Sequence, residues 1–294
     1  MSFTQIREIL LLLLRKLGYI NWIPFGIKDR IIRFFVNPDL QQSQEFEVDF
    51  FGKIYRGNLN TFIDWSVYFY GAYNRQELFL LKKLICETSL DPVFVDIGAN
   101  VGHHAIFMSN YGKKVFAFEP YDNVRNKLEQ KIQQNKIVNI EVIPYGLGVE
   151  NCESDFYAPK EGNTGTGSFI KSHAIDNNKL YKKLKIINGD SYFNENRISK
   201  LDLIKIDVEG YEKFVLKGLQ KTICSFRPII LMEFSETTMH SFESLDELRQ
   251  CLPINYEIKG VRFFQNSYRI SSFKFGKPTD TILLLPTEKA PQRD

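Results

Sequence analysis

Cysteine is scarce and scattered in this chain. Four occur in 294 residues, Cys86, Cys152, Cys224 and Cys251, with no C-x-x-C pair and no Cys/His cluster. That spacing speaks against a structural zinc site and fits a reducing compartment, so a cytoplasmic protein is expected. An excess of one charge is missing too: 38 Lys and Arg against 35 Asp and Glu leave a net charge of +3. No basic run interleaved with aromatics occurs, so no nucleic-acid partner is expected. Repeats and low-complexity tracts are absent. Ile9 to Leu14, ended by Arg15-Lys16, falls well short of the roughly 20 apolar residues that cross a bilayer. Arg7 and Glu8 precede this run and no small-residue cleavage site follows it, which argues against a signal peptide.

What is present is ordinary for a globular protein, with 44% hydrophobic and 25% charged residues. Aromatics are plentiful, with 25 Phe, enough for a ring-rich core and an apolar or sugar-stacking pocket. Residues 1–36 stand apart as a basic, amphipathic, aromatic stretch. Arg7, Arg15, Lys16, Lys28, Arg30 and Arg33 outnumber Glu8 and Asp29, among Trp22, Phe25, Phe34 and Phe35. Two readings stay open: helices packed on the domain or at a homodimer contact, and peripheral attachment to an anionic membrane surface.

The pattern divides the chain into an extension, 1–90, and a larger domain, 91–294. The extension is mostly helical, with a small hairpin at Phe46 to Tyr55 around Gly52 and a helix from an Asn74 cap to about Glu87. Asp91-Pro92 breaks that helix. Beyond it, strands near 93–97, 114–119, 140–145, 201–207, 228–234 and 280–286 alternate with helices near 102–111, 122–135 and 210–221. Such alternation implies an α/β fold with a parallel sheet and right-handed crossovers. Segments 254–264 and 279–286 read as an antiparallel carboxyl-terminal hairpin. The stretch 146–190 has a Gly/Asn/Ser/Thr-rich middle, Glu161 to Ser168, which reads as a surface excursion or an active-site cover.

Residues 93–119 carry the functional signal. They read VFVDIGANVGHHAIFMSNYGKKVFAFE: an apolar run tipped by Asp96, a turn with Gly98, Asn100 and Gly102, a helix, and a second apolar run tipped by Glu119. This is half of a nucleotide-binding sheet. The turn is D-x-G-x-N-x-G, with Asn100 where the dinucleotide fingerprint needs its middle glycine, and the Gly-Lys-Ser/Thr ending of a phosphate loop is absent. Together with Phe118-Glu119-Pro120, Lys205-Ile-Asp207-Val-Glu209-Gly210-Tyr-Glu212 and Ile229 to Phe234, the segment resembles the FkbM family of S-adenosylmethionine-dependent methyltransferases over about residues 60–285. The resemblance implies a Rossmann-like seven-stranded sheet with helices on both faces. It also implies O-methylation of hydroxyls on sugars, macrocycles and similar metabolites, with a sugar of a polysaccharide, glycolipid or glycosylated metabolite as the first acceptor class. Residues 1–90 and 160–185 would form the acceptor pocket. The chain departs from the commoner family pattern at His104 and Ala105, where an aromatic and a Thr or Ser are usual.

For this cofactor, the amides of the turn Gly98 to Gly102 suit the carboxylate end. Asp96 can balance the ammonium, or cap a helix. Glu119 before Pro120 suits the ribose diol, because an ionised carboxylate only accepts hydrogen bonds. Adenine is expected near Tyr145, Gly146 and Leu147. An alcohol acceptor needs a base or a metal. Period-two alternation puts Lys205, Asp207 and Glu209 on one side of a strand, near Glu233 at the end of the next. Three readings stay open there: Lys205 as a fixed ion pair with Asp207 or Glu233, Asp207 or Glu209 as the base, and a divalent cation such as magnesium on Asp207 and Glu233. His103 and His104 open a helix, and one of them, His104 foremost, is a further candidate base. His173 and His240 lie outside the motifs. Competing functions are a nicotinamide-dependent oxidoreductase, which Asn100 opposes, and a non-catalytic cofactor-binding scaffold.

Overall fold

The computed structural model describes residues 2–40, 42–159, 167–171, 178–277 and 279–289; His173 and most of the glycine-rich tract, 161–166, lie outside them. Described residues up to Arg75 form one compact unit and those from Gln76 onward form another. The division falls ahead of the helix that the sequence reading left in an extension ending at residue 90.

The first unit contains α1 (Phe3–Gly18), α2 (Phe25–Phe35), β1 (Glu45–Phe50), β2 (Lys53–Asn58) and α3 (Phe62–Tyr70). A capping box starts α1: Ser2 Oγ accepts the Gln5 N–H, and the Gln5 side chain accepts the Ser2 N–H. Lys28 closes the other end, its buried ammonium donating to the carbonyls of Gly18 (2.8 Å) and Ile20 (3.0 Å). The expected hairpin forms, β1 against β2, with Phe51 and Gly52 both at positive φ in the two-residue loop. Trp65 fills the core and donates from Nε1 to the Val36 carbonyl at 2.8 Å. The Tyr55 hydroxyl donates to Asp64 Oδ1 at 2.8 Å.

All of α4 (Arg75–Cys86) but its first residue belongs to the second unit. Asn74 precedes it at φ 44, outside the extended backbone of a cap residue. Then follow β3 (Val93–Ile97), α5 (His103–Met108), β4 (Lys114–Phe118), α6 (Asp122–Gln134) and β5 (Ile140–Ile143). The stretch 146–190 also contains β6 (Gly146–Gly148), β7 (Cys152–Ala158) and β8 (Lys179–Asn188), which pair in the order β6-β8-β7. Leu184 and Ile186 of β8, and Phe156 and Ala158 of β7, are buried at alternate positions, a pattern that many intervening lysines disguise. Next come α7 (Gly189–Glu195), β9 (Leu203–Ile206), α8 (Glu212–Gly218) and α9 (Gln220–Phe226). The helix expected at 210–221 is thus two short ones, meeting at Leu219. The chain finishes with β10 (Ile229–Glu233), α10 (Glu236–Ser241), α11 (Leu245–Gln250), β11 (Tyr256–Phe263), β12 (Tyr268–Ser272) and β13 (Thr281–Pro286).

The main sheet has eight strands, in the order β12-β11-β13-β10-β9-β3-β4-β5, rather than the expected seven. The extra strand is β12, which pairs antiparallel with β11 at the sheet's edge. Its burial is slight, so it lacks the apolar alternation that announces a strand. The expected antiparallel pair is present as β11 and β13. Strands β5, β4, β3, β9 and β10 run parallel, and they are apolar almost throughout, as strands covered on both faces must be. Val95, Ile97, Ile204, Ile206, Ile230 and Met232 share one buried cluster with Val215, Leu216 and Ile223 of α8 and α9. The chain winds outward from β3 to β4 and β5, then returns to place β9 on the other side of β3. This reversal is the topological switch point, and open α/β sheets bind ligands outside the carboxyl ends of the strands there.

Candidate active site

The turn after β3 is built by the chain's own hydrogen bonds. The amides of Gly98 and Ala99 both donate to the Phe118 carbonyl at 3.0 Å, and Gly102 N–H donates to Ala99 at 2.9 Å. Asn100 N–H donates to Glu119 Oε2 at 2.8 Å, and Val101 N–H to the Asn100 side chain at 2.7 Å. The amides expected to receive a ligand carboxylate therefore already have acceptors. Gly98 is glycine for two reasons: its φ is +85, and an added Cβ would sit 1.9 Å from the Asp207 carbonyl oxygen. Gly102, at φ +84, leaves no room beside Leu128. Asn100 adopts φ 51, which asparagine tolerates better than most residues. That tolerance lets it stand where a dinucleotide turn has glycine.

Glu119 follows β4 and is 6% exposed. Its Oε1 accepts the Tyr121 N–H at 2.8 Å while Oε2 holds Asn100. Burial pushes its carboxyl up to about 7 against these two bonds and Arg125. Each oxygen keeps a further acceptor position, which fits a ribose diol. Pro120 and Tyr145 are half-buried nearby in sequence to the ends of β4 and β5, and Gly146 and Leu147 are buried in β6. Leu147 belongs to the core cluster, with Tyr145 packed against it.

Asp96 stands at the carboxyl end of β3, as expected, but in the interior. It is 0% exposed and neither oxygen is in a well-formed hydrogen bond, though the Ala105 N–H in the first turn of α5 lies close enough to favour its charged form. The N-cap residue of α5 is Gly102, and the contact with the Ala105 amide places Asp96 beneath that helix's first turn, with no exposed surface. It pairs in register with Lys205, and burial pushes it up to about 6 against the pull of that ammonium. Lys205, 2% exposed, donates to Asp207 Oδ2 at 2.9 Å. Burial opposes its charge, but Asp207, Asp96 and Glu77 together raise its pKa. The expected ion pair is therefore formed, with Asp207 as its partner. His104 Nε2 lies 3.5 Å from Glu77 Oε1. Burial, Lys205 and His103 lower His104 well below the ordinary histidine range, and burial with Lys205 and Lys131 lowers His103 to about 3. Both imidazoles are buried and neutral, part of an interior group with Glu77, Asp96 and Lys205.

Three acids meet at the mouth. Single ligand oxygens from Asp207, Glu209 and Glu233 all lie within 4.8 Å of one another, close enough to hold one cation. The strand pleat does not bring Glu209 there. β9 ends at Ile206, and Glu209 reaches the trio from a left-handed backbone at φ 52. Ser168 Oγ donates to the Glu209 carbonyl at 2.8 Å. Burial first, then Asp207 and Glu212, pushes the Glu209 carboxyl up; burial and the three neighbouring acids raise Glu233 furthest. Lys205 is the cation that opposes these shifts, and its ammonium is bonded to Asp207. The sequence reading gave no role to Glu212. Buried at the start of α8, it accepts the N–H groups of Val208 (2.9 Å) and Gly210 (3.2 Å) and the Thr238 hydroxyl (3.0 Å). An acid just past a glycine, three residues after Glu209, was the only sequence sign of it.

An open, mostly parallel sheet with carboxylates gathered at its switch point defines the class of α/β proteins that bind a ligand at strand ends. The FkbM methyltransferase domain matches residues 96–266, more than half of the chain, and the chain belongs to that family. It is 29% identical to the hexuronic acid methyltransferase AglP of Haloferax volcanii over 53% of this chain and 62% of that protein. It is 25% identical to Methyltransferase 1 of Beauveria bassiana, over 53% of this chain and 72% of the other. Among solved structures, an FkbM methyltransferase from Methylobacillus flagellatus KT superposes with a TM-score of 0.44 at 18% identity, covering 66% of this chain and 43% of that one. SMU.1697c of Streptococcus mutans, in complex with SAH, gives 0.42 at 11% identity, covering 71% and 95%.

Proposed function

We propose that this chain is an S-adenosylmethionine-dependent O-methyltransferase that acts on a sugar hydroxyl. The observation that carries the reading is the acid trio beside the switch point, with Lys205 bonded to Asp207 and burial raising Glu209 and Glu233. Family membership supports the methyl donor, and the hexuronic acid named for AglP supports a sugar acceptor.

The donor set fits this cofactor. Glu119, with an acceptor position left on each oxygen, would hold the ribose diol, and Asp207 would face the ammonium. Gly98, Asn100, Pro120 and Tyr145 would border it. Bound there, S-adenosylmethionine supplies an electrophilic methyl on a sulfonium, and the chain's own task is to position an alcohol and take its proton. Glu209 is the group for that step. A carboxylate raised by burial is a stronger base than an exposed one, and Brønsted behaviour favours a base titrating near the working pH. Glu233, protonated, can donate a hydrogen bond to a neighbouring sugar oxygen. The trio repels an acceptor's own carboxylate, so a uronic acid would turn hydroxyls, not its acid group, toward it.

The test is transfer of labelled methyl from S-adenosylmethionine to sugars and uronic acids, with mass spectrometry of the product. Thermal stabilisation by S-adenosylhomocysteine and none by NAD is expected beforehand. Stabilisation by NAD alone would reject the cofactor; binding without turnover on any acceptor would favour the scaffold reading.

A further inference from the structure

Helices α1 and α2 of the first unit each carry an apolar stripe that faces solvent. On α1, Ile6, Ile9 and Leu13 are exposed at the spacing of one helix face, and Lys16 continues the row. On α2, exposed Ile27, Ile31 and Phe34 recur at i, i+4 and i+7, with Arg30 on the same face. Trp22, in the turn between the helices, is 83% exposed, and Phe34 is 82% exposed. Single exposed apolar residues are common on soluble proteins, but rows of them on neighbouring helices mark an interaction surface.

The inner faces of the helices are spent. Leu11, Leu14 and Ile32 are buried. Lys28 is bound to carbonyls, Arg33 pairs with Asp29 at 2.9 Å and lies over Trp65, and Arg15 lies over Tyr68. Asp29 is doubly held, by Arg33 and the Tyr70 hydroxyl. Arg7, Lys16 and Arg30 make no side-chain hydrogen bond or ion pair among the described residues. The stripes thus combine apolar and aromatic side chains with free positive charge.

We propose that α1 and α2 dock this protein on an anionic lipid bilayer. The apolar side chains enter the boundary between headgroups and acyl chains, with Trp22 at the interface, and Arg7, Lys16 and Arg30 meet headgroup phosphates. No described helix is long and apolar enough to cross a membrane, so the contact lies in the interface plane. Charge decides the occupant: a two-fold contact between copies through these faces would bring Lys16 and Arg30 toward like charges.

The experiment is co-sedimentation of the full chain with vesicles of phosphatidylcholine, alone or mixed with phosphatidylglycerol. Binding is expected only to the anionic vesicles, weakening by about tenfold or more in high salt. Trp22→Ser with Phe34→Ser, and separately Lys16→Glu with Arg30→Glu, should each cut that binding by about tenfold or more, with unchanged melting temperature and unchanged S-adenosylhomocysteine binding. Failure to bind anionic vesicles, equal binding to neutral ones, or full binding by both double variants overturns the proposal. A dimer by light scattering that Trp22→Ser with Phe34→Ser converts to monomer also overturns it, and gives the surface to a second copy.

Discussion

Glu119 holds the turn that follows the neighbouring strand: its Oε2 accepts the Asn100 N–H at 2.8 Å while Oε1 accepts the Tyr121 N–H at the same distance. Glu119→Ala leaves two amides without acceptors, at about 1–3 kcal/mol each. We expect a lower Tm together with a loss of S-adenosylhomocysteine affinity of about tenfold or more, read by calorimetry, because charge-assisted bonds contribute about 1.5–3 kcal/mol. Unchanged affinity in a folded variant would remove Glu119 from the cofactor site.

Stability should rise on mild acidification. Burial raises Asp96 to about 6, and Glu119 and Glu212 to about 7, from ordinary values of 3.8 and 4.5. Between those limits the folded chain holds protons that the unfolded chain releases, so stability is full below the unfolded values and declines as pH climbs to the folded ones. His103 and His104, held neutral by burial, act the other way as pH falls below the ordinary 6.5, and Glu247 and Glu288, lowered to about 2 by Lys213 and Arg227, do so below 4.5; the three acids, with Glu209 and Glu233 raised as well, outweigh the two imidazoles. Calorimetric scans should therefore give a higher Tm near about pH 5 than near about pH 8. A Tm that climbs over that interval would contradict the burial of these three acids.

Lys205 is the cation beside Asp207 and Asp96, with Glu77 as a further neighbour. Lys205→Met should cost about 3–5 kcal/mol, since removing one partner leaves buried charge uncompensated. A denaturant midpoint shifted by less than about 1 kcal/mol would show that the acids relax by taking protons instead.

Glu209→Gln should lower turnover by about 10²–10⁴-fold with little change in cofactor affinity. The parent's kcat should rise with pH along a limb above the ordinary carboxylate range, and the variant should lose that limb. Chelator should leave the parent active. Activity lost to chelator and restored by magnesium would make Asp207, Glu209 and Glu233 cation ligands rather than a base cluster.

Two glycines of nearly equal φ offer an internal comparison. Gly52, at φ +82, has open space at its Cβ, whereas Gly98, at φ +85, faces the Asp207 carbonyl. Gly52→Ala should cost about 1–2 kcal/mol, the left-handed backbone cost alone. Gly98→Ala should cost far more and abolish S-adenosylhomocysteine binding. Similar Tm values for the two variants would refute the close approach of β3's turn to β9.

The parallel strands were legible because burial on both faces writes them as short apolar runs, and Val93 to Ile97 and Lys114 to Phe118 fall where the pattern put them. β12 and the β6-β8-β7 sheet were not, since Tyr268 to Ser272 is nearly all exposed and β8 hides two buried residues among lysines. At the site, the grouping of Asp207, Glu209 and Glu233 followed from strand order. The route did not: Glu209 arrives by a left-handed turn that a two-residue period cannot express. Nor was the burial of Asp96 and His104 legible. Sequence shows an ionisable side chain beside a glycine turn, but not whether packing closes it off from solvent.

The pairing of β3 with β9 has a consequence for synthesis. Val93 N–H reaches Asp202 Oδ2 across 109 positions, so the ribosome finishes the first half-sheet long before its central strand meets its second neighbour. Until then β3 offers an apolar open edge, the kind of surface that nascent chains aggregate through and chaperones cover. A message truncated between β8 and β9 would yield only a sticky half with neither Asp207 nor Glu233.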